Sequence, residues 1–361
     1  MKKTICFFLG NLSGIGGTER MTCNLANRLV DNDYNILIVG ITMSRKPFFK
    51  FNDKVTIISL FEKQVKIMGL FPIITYQLQK LVSKYNVDVL INVDVILALF
   101  SLPIKMAKSS LKIISWEHFN YKTNLGVKGR TLSRYLSKKY ADAIVTLTEE
   151  DKGYYEKHGT INGKILAISN FIIDIPSIHS QCEEHIVLAV GRFCYQKAFD
   201  DLIDVWNLVQ MDSISNGWKL RIVGDGEDKM KVLDKIREYG LNSSVEILPS
   251  ADDVSSFYSQ SSIYVMTSRF EGLPMVLIES KFYGLPIVCL NCITGPKDMV
   301  ENERDGFIIN NRDFKEMANK ICYLMRNDNV RKEMGKNALL DSRRFTPDSI
   351  IERWKSLLNS L

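Results

Sequence analysis

Short apolar runs alternate along the chain with longer stretches in which apolar residues recur at helical spacing. In the first half, the apolar runs predict strands at 5–9, 35–39, 55–58, 87–92, 113–116 and 143–146. The helical spacing predicts helices at 18–30, 71–85 and 128–140. Because the predicted strands are continuously apolar rather than alternating, they indicate a parallel sheet covered by helices on both faces.

The same pattern restarts in the second half. The predicted strands are 185–190, 219–223, 245–248, 263–266, 286–290 and 306–309, and the predicted helices are 200–210, 228–239, 251–260 and 274–283. We expect an α/β fold of two doubly wound domains, at 1–172 and 185–345, joined by a polar linker at 173–184. Thr346-Pro347-Asp348 is typical of a helix start, so the segment 346–361 is predicted to be a C-terminal helix.

Two apolar segments raise the question of membrane targeting. Lys2 and Lys3 precede a short apolar run, which we interpret as a first buried strand rather than a signal peptide. The run 89–104 is interrupted by Asp94 and Pro103, so it predicts a strand and a buried helix rather than a membrane span. The seven scattered cysteines favour reduced thiols in a cytoplasmic protein.

Charge is distributed unevenly between the two halves. Residues 1–170 carry 24 Lys or Arg and 13 Asp or Glu, a net of +11, whereas the remainder has a net charge of −5. A basic half indicates an anionic partner: a phosphate-bearing acceptor, an anionic membrane or nucleic acid. The helix at 128–140 is predicted to contact anionic membrane through Lys128, Arg130, Arg134 and Lys138. Nucleic acid is disfavoured because few aromatic residues are interleaved and no recognition motif appears.

The first glycine-rich loop, Gly14-Ile15-Gly16-Gly17, follows a predicted strand and opens a helix. Such a loop allows backbone amides to face an anion. The dinucleotide fingerprint fails because Glu19 stands where its last glycine belongs, and no acidic residue ends the second strand. A nicotinamide dehydrogenase is therefore disfavoured.

Two loops of the second half carry candidate chemistry. After the strand at 185–190, Arg192 and Lys197 lie on one loop and together can neutralise a diphosphate. In the other loop, Pro274 suits the start of a helix, and Glu271 and Glu279 are separated by about 12 Å if the intervening residues are helical. Glu279 in an otherwise apolar run needs a polar partner, which ribose hydroxyls would supply.

These motifs together resemble glycosyltransferase family 4, whose members are retaining enzymes of the GT-B fold. The resemblance rests on Gly16-Gly17, on His118 after a strand of the first domain, on Gly191-Arg192 with Lys197, on the segment 223–226 with Gly224, and on the E-x7-E pair Glu271 and Glu279. It covers nearly the whole chain. It implies that the C-terminal helix packs back on the first domain.

The resemblance implies a role for each matched residue. Arg192 and Lys197 would hold the diphosphate, Glu279 the ribose hydroxyls, and His118 the donor sugar. Gly16 and Gly17 would approach the donor phosphate and the acceptor, and Gly191 and Gly224 would line the donor site. The sugar and diphosphate would be held by Glu271 and by the backbone of Gly272, Leu273, Pro274 and Met275.

In this family no metal or other cofactor is needed, and the leaving diphosphate accepts the proton of the attacking hydroxyl on the front side. Asp31-Asn32-Asp33 spells a metal motif of another glycosyltransferase fold, but it falls where a turn is predicted. The resemblance favours a UDP-sugar donor, either hexose or N-acetylhexosamine. The acceptor would be a glycan on a polyprenyl diphosphate, in bacterial O-antigen, capsule or exopolysaccharide synthesis. The enzyme would then be peripheral on the inner face of the cell membrane. A non-hydrolysing UDP-sugar epimerase and a noncatalytic subunit are the alternatives.

Overall fold

The structure, a computed structural model, describes residues 2–32, 34–65, 67–124, 126–127, 129–251 and 253–361. It divides into two compact units. Unit 1 comprises Met1–Phe171 and Pro347–Leu361, and unit 2 comprises Ile172–Thr346. Among the described residues, no helix has the length and apolar character needed to cross a bilayer.

Unit 1 is built on a parallel sheet. Its strands are β1 (Thr4–Asn11), β2 (Asn35–Thr42), β3 (Thr56–Phe61), β4 (Val89–Val93), β5 (Lys112–Trp116), β6 (Ala143–Thr146) and β7 (Lys164–Ala167). They pair in the order β3-β2-β1-β4-β5-β6-β7. The helices of this part of the chain are α1 (Gly17–Val30), α2 (Phe71–Lys84), α3 (Ala98–Ala107), α4 (Gly129–Tyr140) and α5 (Glu149–Lys157). On one face, Phe8 and Leu90 of the sheet share a buried core with Ile74 of α2 and Phe100 of α3.

Unit 2 repeats the plan. Its strands are β8 (Ile186–Val190), β9 (Lys219–Val223), β10 (Val245–Leu248), β11 (Ile263–Met266), β12 (Ile287–Leu290) and β13 (Gly306–Ile309). They pair in parallel in the order β10-β9-β8-β11-β12-β13. Its helices are α6 (Phe199–Gln210), α7 (Lys229–Glu238), α8 (Ser255–Ser259), α9 (Met275–Phe282), α10 (Pro296–Met299), α11 (Phe314–Arg326) and α12 (Asp328–Ser342).

The C-terminal helix, α13 (Pro347–Asn359), belongs to unit 1. Its Trp354 packs edge-on against Trp116 of β5, with ring centroids 5.0 Å apart. The predicted fold class, with two doubly wound domains and a C-terminal helix on the first, is confirmed. Strand order reverses at β1 and at β8, and ligands of such sheets bind beyond the carboxyl ends of the strands at that point.

The segment 173–184 runs without helix or strand and packs on unit 2. The carbonyl of Cys182 accepts a hydrogen bond of 3.0 Å from Nε of the buried Arg331. Asp31 caps the end of α1, with Asn32 in the turn that follows, as predicted, and Asp33 lies outside the described residues.

Candidate functional site

The loop after β8 meets the loop after β9 at the carboxyl edge of the unit 2 sheet. The N–H of Gly191 donates to the carbonyl of Val223 over 3.0 Å. A Cβ on Gly224, whose φ is +153°, would lie 1.9 Å from the carbonyl oxygen of Gly191, so only glycine allows the two loops to approach this closely. Together with Arg192 and Ser250, these glycines line a pocket of about 350 Å³, and Arg192 is exposed beside it.

Lys197 and Glu271 form an ion pair in the same unit. The ammonium of Lys197 donates to Oε1 of Glu271 at 2.8 Å, while Gln196 donates its Nε2 to Oε2 at 3.1 Å. The Lys197 end of the loop is fixed because the hydroxyl of Thr267 donates to the carbonyls of Lys197 and Ala198. The structure thus brings together two of the residues that the sequence singled out.

The segment after Glu271 turns sharply into α9. The hydroxyl of Thr294 donates to the carbonyl of Glu271 at 2.5 Å, and a Cβ on Gly295 would lie 2.4 Å from Cδ of Pro274. Pro274 caps α9 rather than occupying its first turn, so the helix begins at Met275. The N–H groups of a first turn have no carbonyl partner within the helix and favour an anion.

Glu279 lies on α9, half-buried, with an aromatic partner. The hydroxyl of the fully buried Tyr258 donates to Oε2 of Glu279 at 2.8 Å. Tyr258 stacks on Tyr283 with centroids 5.1 Å apart. Burial raises the pKa of Tyr258 well above its ordinary value, and the charge of Glu279 adds to the shift, so this phenol stays protonated and donating.

Sequence reasoning missed Gln196, Tyr258 and Thr294. Gln196 directly precedes Lys197, a predicted site residue, so its position in the sequence could have indicated it. Tyr258 precedes Glu279 by 21 positions and Thr294 follows Glu271 by 23, so no local pattern connects these pairs.

In unit 1, His118 follows β5 and is buried, with 9% of its surface exposed. Its ring lies 4.2 Å from the ring of Trp116, centroid to centroid. Its Nε2 finds no hydrogen-bond partner among the described residues. Burial lowers the pKa of His118 to about 3, so the imidazole is neutral and offers one unsatisfied nitrogen.

The loop that carries His118 is held by Arg134 of α4. Its Nε donates to the buried carboxylate of Glu117 at 2.8 Å. Its other two nitrogens donate to the carbonyls of Asn120, Tyr121 and Thr123 and to the side chain of Asn124. The guanidinium therefore makes five hydrogen bonds to one loop, to the side chain of Glu117 before His118 and to backbone and side-chain oxygens after it.

This arrangement corrects the predicted membrane contact. Arg130 binds both carboxylate oxygens of Asp94, at 2.9 and 2.5 Å, and Lys138 donates to the carbonyl of His158 at 2.5 Å. Arg130, Arg134 and Lys138 are only 6%, 3% and 6% exposed, so they face the interior of unit 1 and cannot present a basic surface. Lys128 lies outside the described residues.

Gly16 and Gly17 open α1 at the carboxyl edge of the unit 1 sheet, where both are exposed. Gly16 is the residue before the helix. A Cβ on Gly17 would meet no atom of the described residues within 4 Å, whereas one on Gly16 would lie 2.9 Å from Oε2 of Glu19. Space is therefore open over Gly17.

Two family models match successive parts of the chain. The model described as glycosyltransferase family 4 matches residues 15–174, and the model of glycosyl transferases group 1 matches residues 173–341.

Relatives and a solved structure cover the chain almost end to end. An uncharacterized glycosyltransferase of Haemophilus influenzae is 34% identical, over 99% of this chain and 100% of the relative. The amylovoran biosynthesis glycosyltransferase AmsD of Erwinia amylovora is 29% identical, over 98% and 99%. A Campylobacter jejuni α-1,4-N-acetyl-D-galactosaminyltransferase, named for an undecaprenol-PP-linked acceptor, is 26% identical, over 98% of each chain. The crystal structure of Anabaena Alr3699/HepE in complex with UDP has a TM-score of 0.82 at 17% identity, over 100% of both chains, and shows the fold alone.

Proposed function

The chain belongs to glycosyltransferase family 4, and we propose that it transfers a hexose or N-acetylhexosamine from a UDP-sugar to a glycan acceptor, with retention of anomeric configuration and without a metal. The acceptor is a lipid-linked glycan in bacterial surface-polysaccharide synthesis. Two relatives support this proposal by their names: the Erwinia name refers to amylovoran biosynthesis, and the Campylobacter name to a PP-undecaprenol-linked glycan. The family match does not favour the epimerase or the noncatalytic subunit.

One observation carries the proposal. In unit 2, the segments that follow β8, β9 and β11 contain two basic side chains, the start of α9 and two glutamates that accept hydrogen bonds from different partners. Lys197 is already paired with Glu271, and Arg192 lines the pocket beside Gly191 and Gly224. A diphosphate bound there meets Arg192, Lys197 and the N–H groups at the start of α9, a set of donors that stabilises charge on a leaving group.

Each glutamate has a separate role in the proposal. Glu279 faces the ribose, where its carboxylate accepts hydrogen bonds from two hydroxyls while Tyr258 holds its Oε2 from the other side. Glu271 is held through both oxygens by Lys197 and Gln196, and it orients that lysine towards the diphosphate. Lys197 then donates to the oxygen on which charge develops as the sugar leaves.

His118 is proposed to hydrogen-bond a hydroxyl of the donor sugar. A neutral imidazole whose Nε2 has no hydrogen-bond partner in the part of the chain that the structure describes suits this role, because it exchanges a hydrogen bond with a hydroxyl without introducing a charge. The reaction then needs no enzyme nucleophile. The attacking hydroxyl gives its proton to the departing diphosphate on the same face.

The test is a screen of nucleotide sugars in the presence of EDTA, with release of the nucleotide as the readout. We expect release of UDP from one UDP-sugar, faster when a lipid-linked acceptor is added. A strict requirement for a divalent ion, or preference for a non-uridine donor, would contradict the proposal.

A further inference from the structure

Thr294 has a backbone conformation that few residues of its shape adopt. Its φ is +57°, its side chain is branched at Cβ, and it is fully buried. A positive φ is strained for a branched residue, and such strain persists where the surrounding structure holds it, often at functional sites. The proposed function gives Thr294 no role, although it contacts the residue that pairs with Lys197.

The hydroxyl of Thr294 contacts the turn that leads into α9. It donates to the carbonyl of Glu271 at 2.5 Å and lies 3.4 Å from the carbonyl oxygen of Gly272. The N–H of Glu271 in turn donates to the carbonyl of Ile293 at 3.2 Å. The turn is therefore held from one side, and rotation of the peptide between Glu271 and Gly272 would break the shortest of these hydrogen bonds.

These hydrogen bonds determine where the next two N–H groups point. In a planar trans peptide, the carbonyl of one residue and the N–H of the next point in opposite directions. Because the carbonyls of Glu271 and Gly272 point to Thr294, the N–H groups of Gly272 and Leu273 point away from it. Neither N–H donates to a residue that the structure describes. They precede the N–H groups of the first turn of α9, which begins at Met275, and successive N–H groups of this kind favour an anion.

We propose that Thr294 is a positioning residue that orients the N–H groups of Gly272 and Leu273 towards the diphosphate of the donor. It acts through the backbone of the turn and not on the reacting atoms. A glycine would adopt the same φ without strain but would lack the hydroxyl that holds the two carbonyls. The inference rests on the proposed function, because it takes a diphosphate to be the group bound at the start of α9.

The experiment compares the binding of UDP and of uridine to the full chain by isothermal titration calorimetry. The two ligands differ by the diphosphate, so the ratio of their dissociation constants reports on the diphosphate site. Thr294→Val keeps the branched shape and removes the hydroxyl. Thr294→Gly removes the hydroxyl and relieves the positive φ, so it provides a folded protein for the test even if the valine variant is unstable. Thr294→Ser keeps a hydroxyl and is the conservative variant.

Thr146→Val is the matched control. Thr146 is also fully buried, at the end of β6 in unit 1. Its hydroxyl donates to the carbonyl of Thr148 at 3.0 Å and lies 3.5 Å from that of Leu166. Losing this hydroxyl should lower the unfolding temperature, as Thr294→Val does, because buried carbonyls lose their donor in both variants. It should leave the binding of UDP and uridine unchanged.

We expect Thr294→Val and Thr294→Gly to bind UDP about tenfold more weakly than the wild type or worse, since N–H groups that meet a charged phosphate are misdirected. Both should bind uridine within about twofold of the wild type, and Thr294→Ser should bind UDP within about threefold of it.

The proposal would be overturned if either variant without the hydroxyl bound UDP as tightly as the wild type, or lost affinity for UDP and uridine equally. A loss of UDP affinity in Thr294→Ser or Thr146→Val as large as that in Thr294→Val would also overturn it. A wild type that binds UDP no more tightly than uridine would refute the diphosphate site of the proposed function, and this inference with it. The failure of the inference alone is therefore distinguishable from the failure of the proposed function.

Discussion

Replacing Glu279 by Gln isolates the carboxylate that we assign to the ribose. An alanine at this position would confuse two effects, because it would also leave the buried hydroxyl of Tyr258 without its acceptor at 2.8 Å. An orphaned hydroxyl of that kind costs about 1–3 kcal/mol. Glu279→Gln keeps an amide oxygen for Tyr258, removes the charge and replaces the other acceptor oxygen by an NH2 donor.

The magnitude follows from the hydrogen bonds that the charge would make. A hydrogen bond to an ionised group contributes about 1.5–3 kcal/mol. Losing that contribution weakens binding of UDP about ten- to hundredfold. The assay is isothermal titration calorimetry of the full chain with UDP, which gives the dissociation constant of the wild type and of the variant. The unfolding temperature of the variant should stay close to that of the wild type.

Tyr258→Phe is the matched control, since it leaves the carboxylate charged and removes only the hydroxyl that donates to it. We expect it to lower the unfolding temperature while changing the affinity for UDP by less than about threefold. Two results would refute the reasoning. Either Glu279→Gln binds UDP as tightly as the wild type, or Tyr258→Phe weakens binding as much as Glu279→Gln does.

Four further changes test other parts of the account. Lys197→Ala should lower kcat roughly a hundredfold, since it removes one donor to the leaving group, while the wild type keeps full activity in EDTA; a change in KM alone would count against this role of Lys197. Arg134→Ala should lower the free energy of unfolding by about 3–5 kcal/mol, because the buried carboxylate of Glu117 loses its hydrogen-bonded cation and keeps only the longer contact of 3.9 Å with Arg130; normal urea unfolding would show that the hydrogen bonds of Arg134 are dispensable. Gly224→Ala should lower the free energy of unfolding by about 1–3 kcal/mol and weaken binding of UDP, because its Cβ would meet the carbonyl of Gly191. Gly10→Ala, whose Cβ would meet no atom of the described residues within 4 Å, should do neither. The pKa of His118 is lowered to about 3 by burial. Below about pH 6.5 the unfolded chain binds a proton at this histidine that the folded chain does not, so the free energy of unfolding falls on acidification, by about 3 kcal/mol at about pH 4. His118→Gln should remove that part of the dependence of the unfolding free energy on pH. The same pH dependence in the wild type and the variant would contradict the assignment.

The fold was largely predictable because its signals are local. Continuous apolar runs and helical spacing lie within ten or fifteen residues, and every strand predicted in the two halves corresponds to an observed one. β7 and α5 escaped prediction, and in α5 the residues are mostly polar and charged, so no apolar spacing marks it. The unpredicted α11 and α12 lie beyond the last predicted strand.

The inward orientation of α4 was not predictable for a physical reason. Its basic residues recur at helical spacing, which usually indicates a solvated face. Their partners, Asp94 and Glu117, lie 36 and 17 positions away and become neighbours only when β4 and β5 pair. Once Glu117 is buried it needs a cation. The helix then turns its arginines inward and Leu132, Tyr135 and Tyr140 outward.

The central claim is tested most directly by the anomeric configuration of the product. The full chain is incubated with the UDP-sugar that it accepts, a lipid-linked acceptor and EDTA, and the new glycosidic linkage is examined by proton NMR alongside the UDP released. The account predicts that the transferred sugar keeps the anomeric configuration of the donor and that one UDP appears for each linkage formed. An inverted linkage, or a UDP-sugar converted to its epimer with no UDP released, would contradict it.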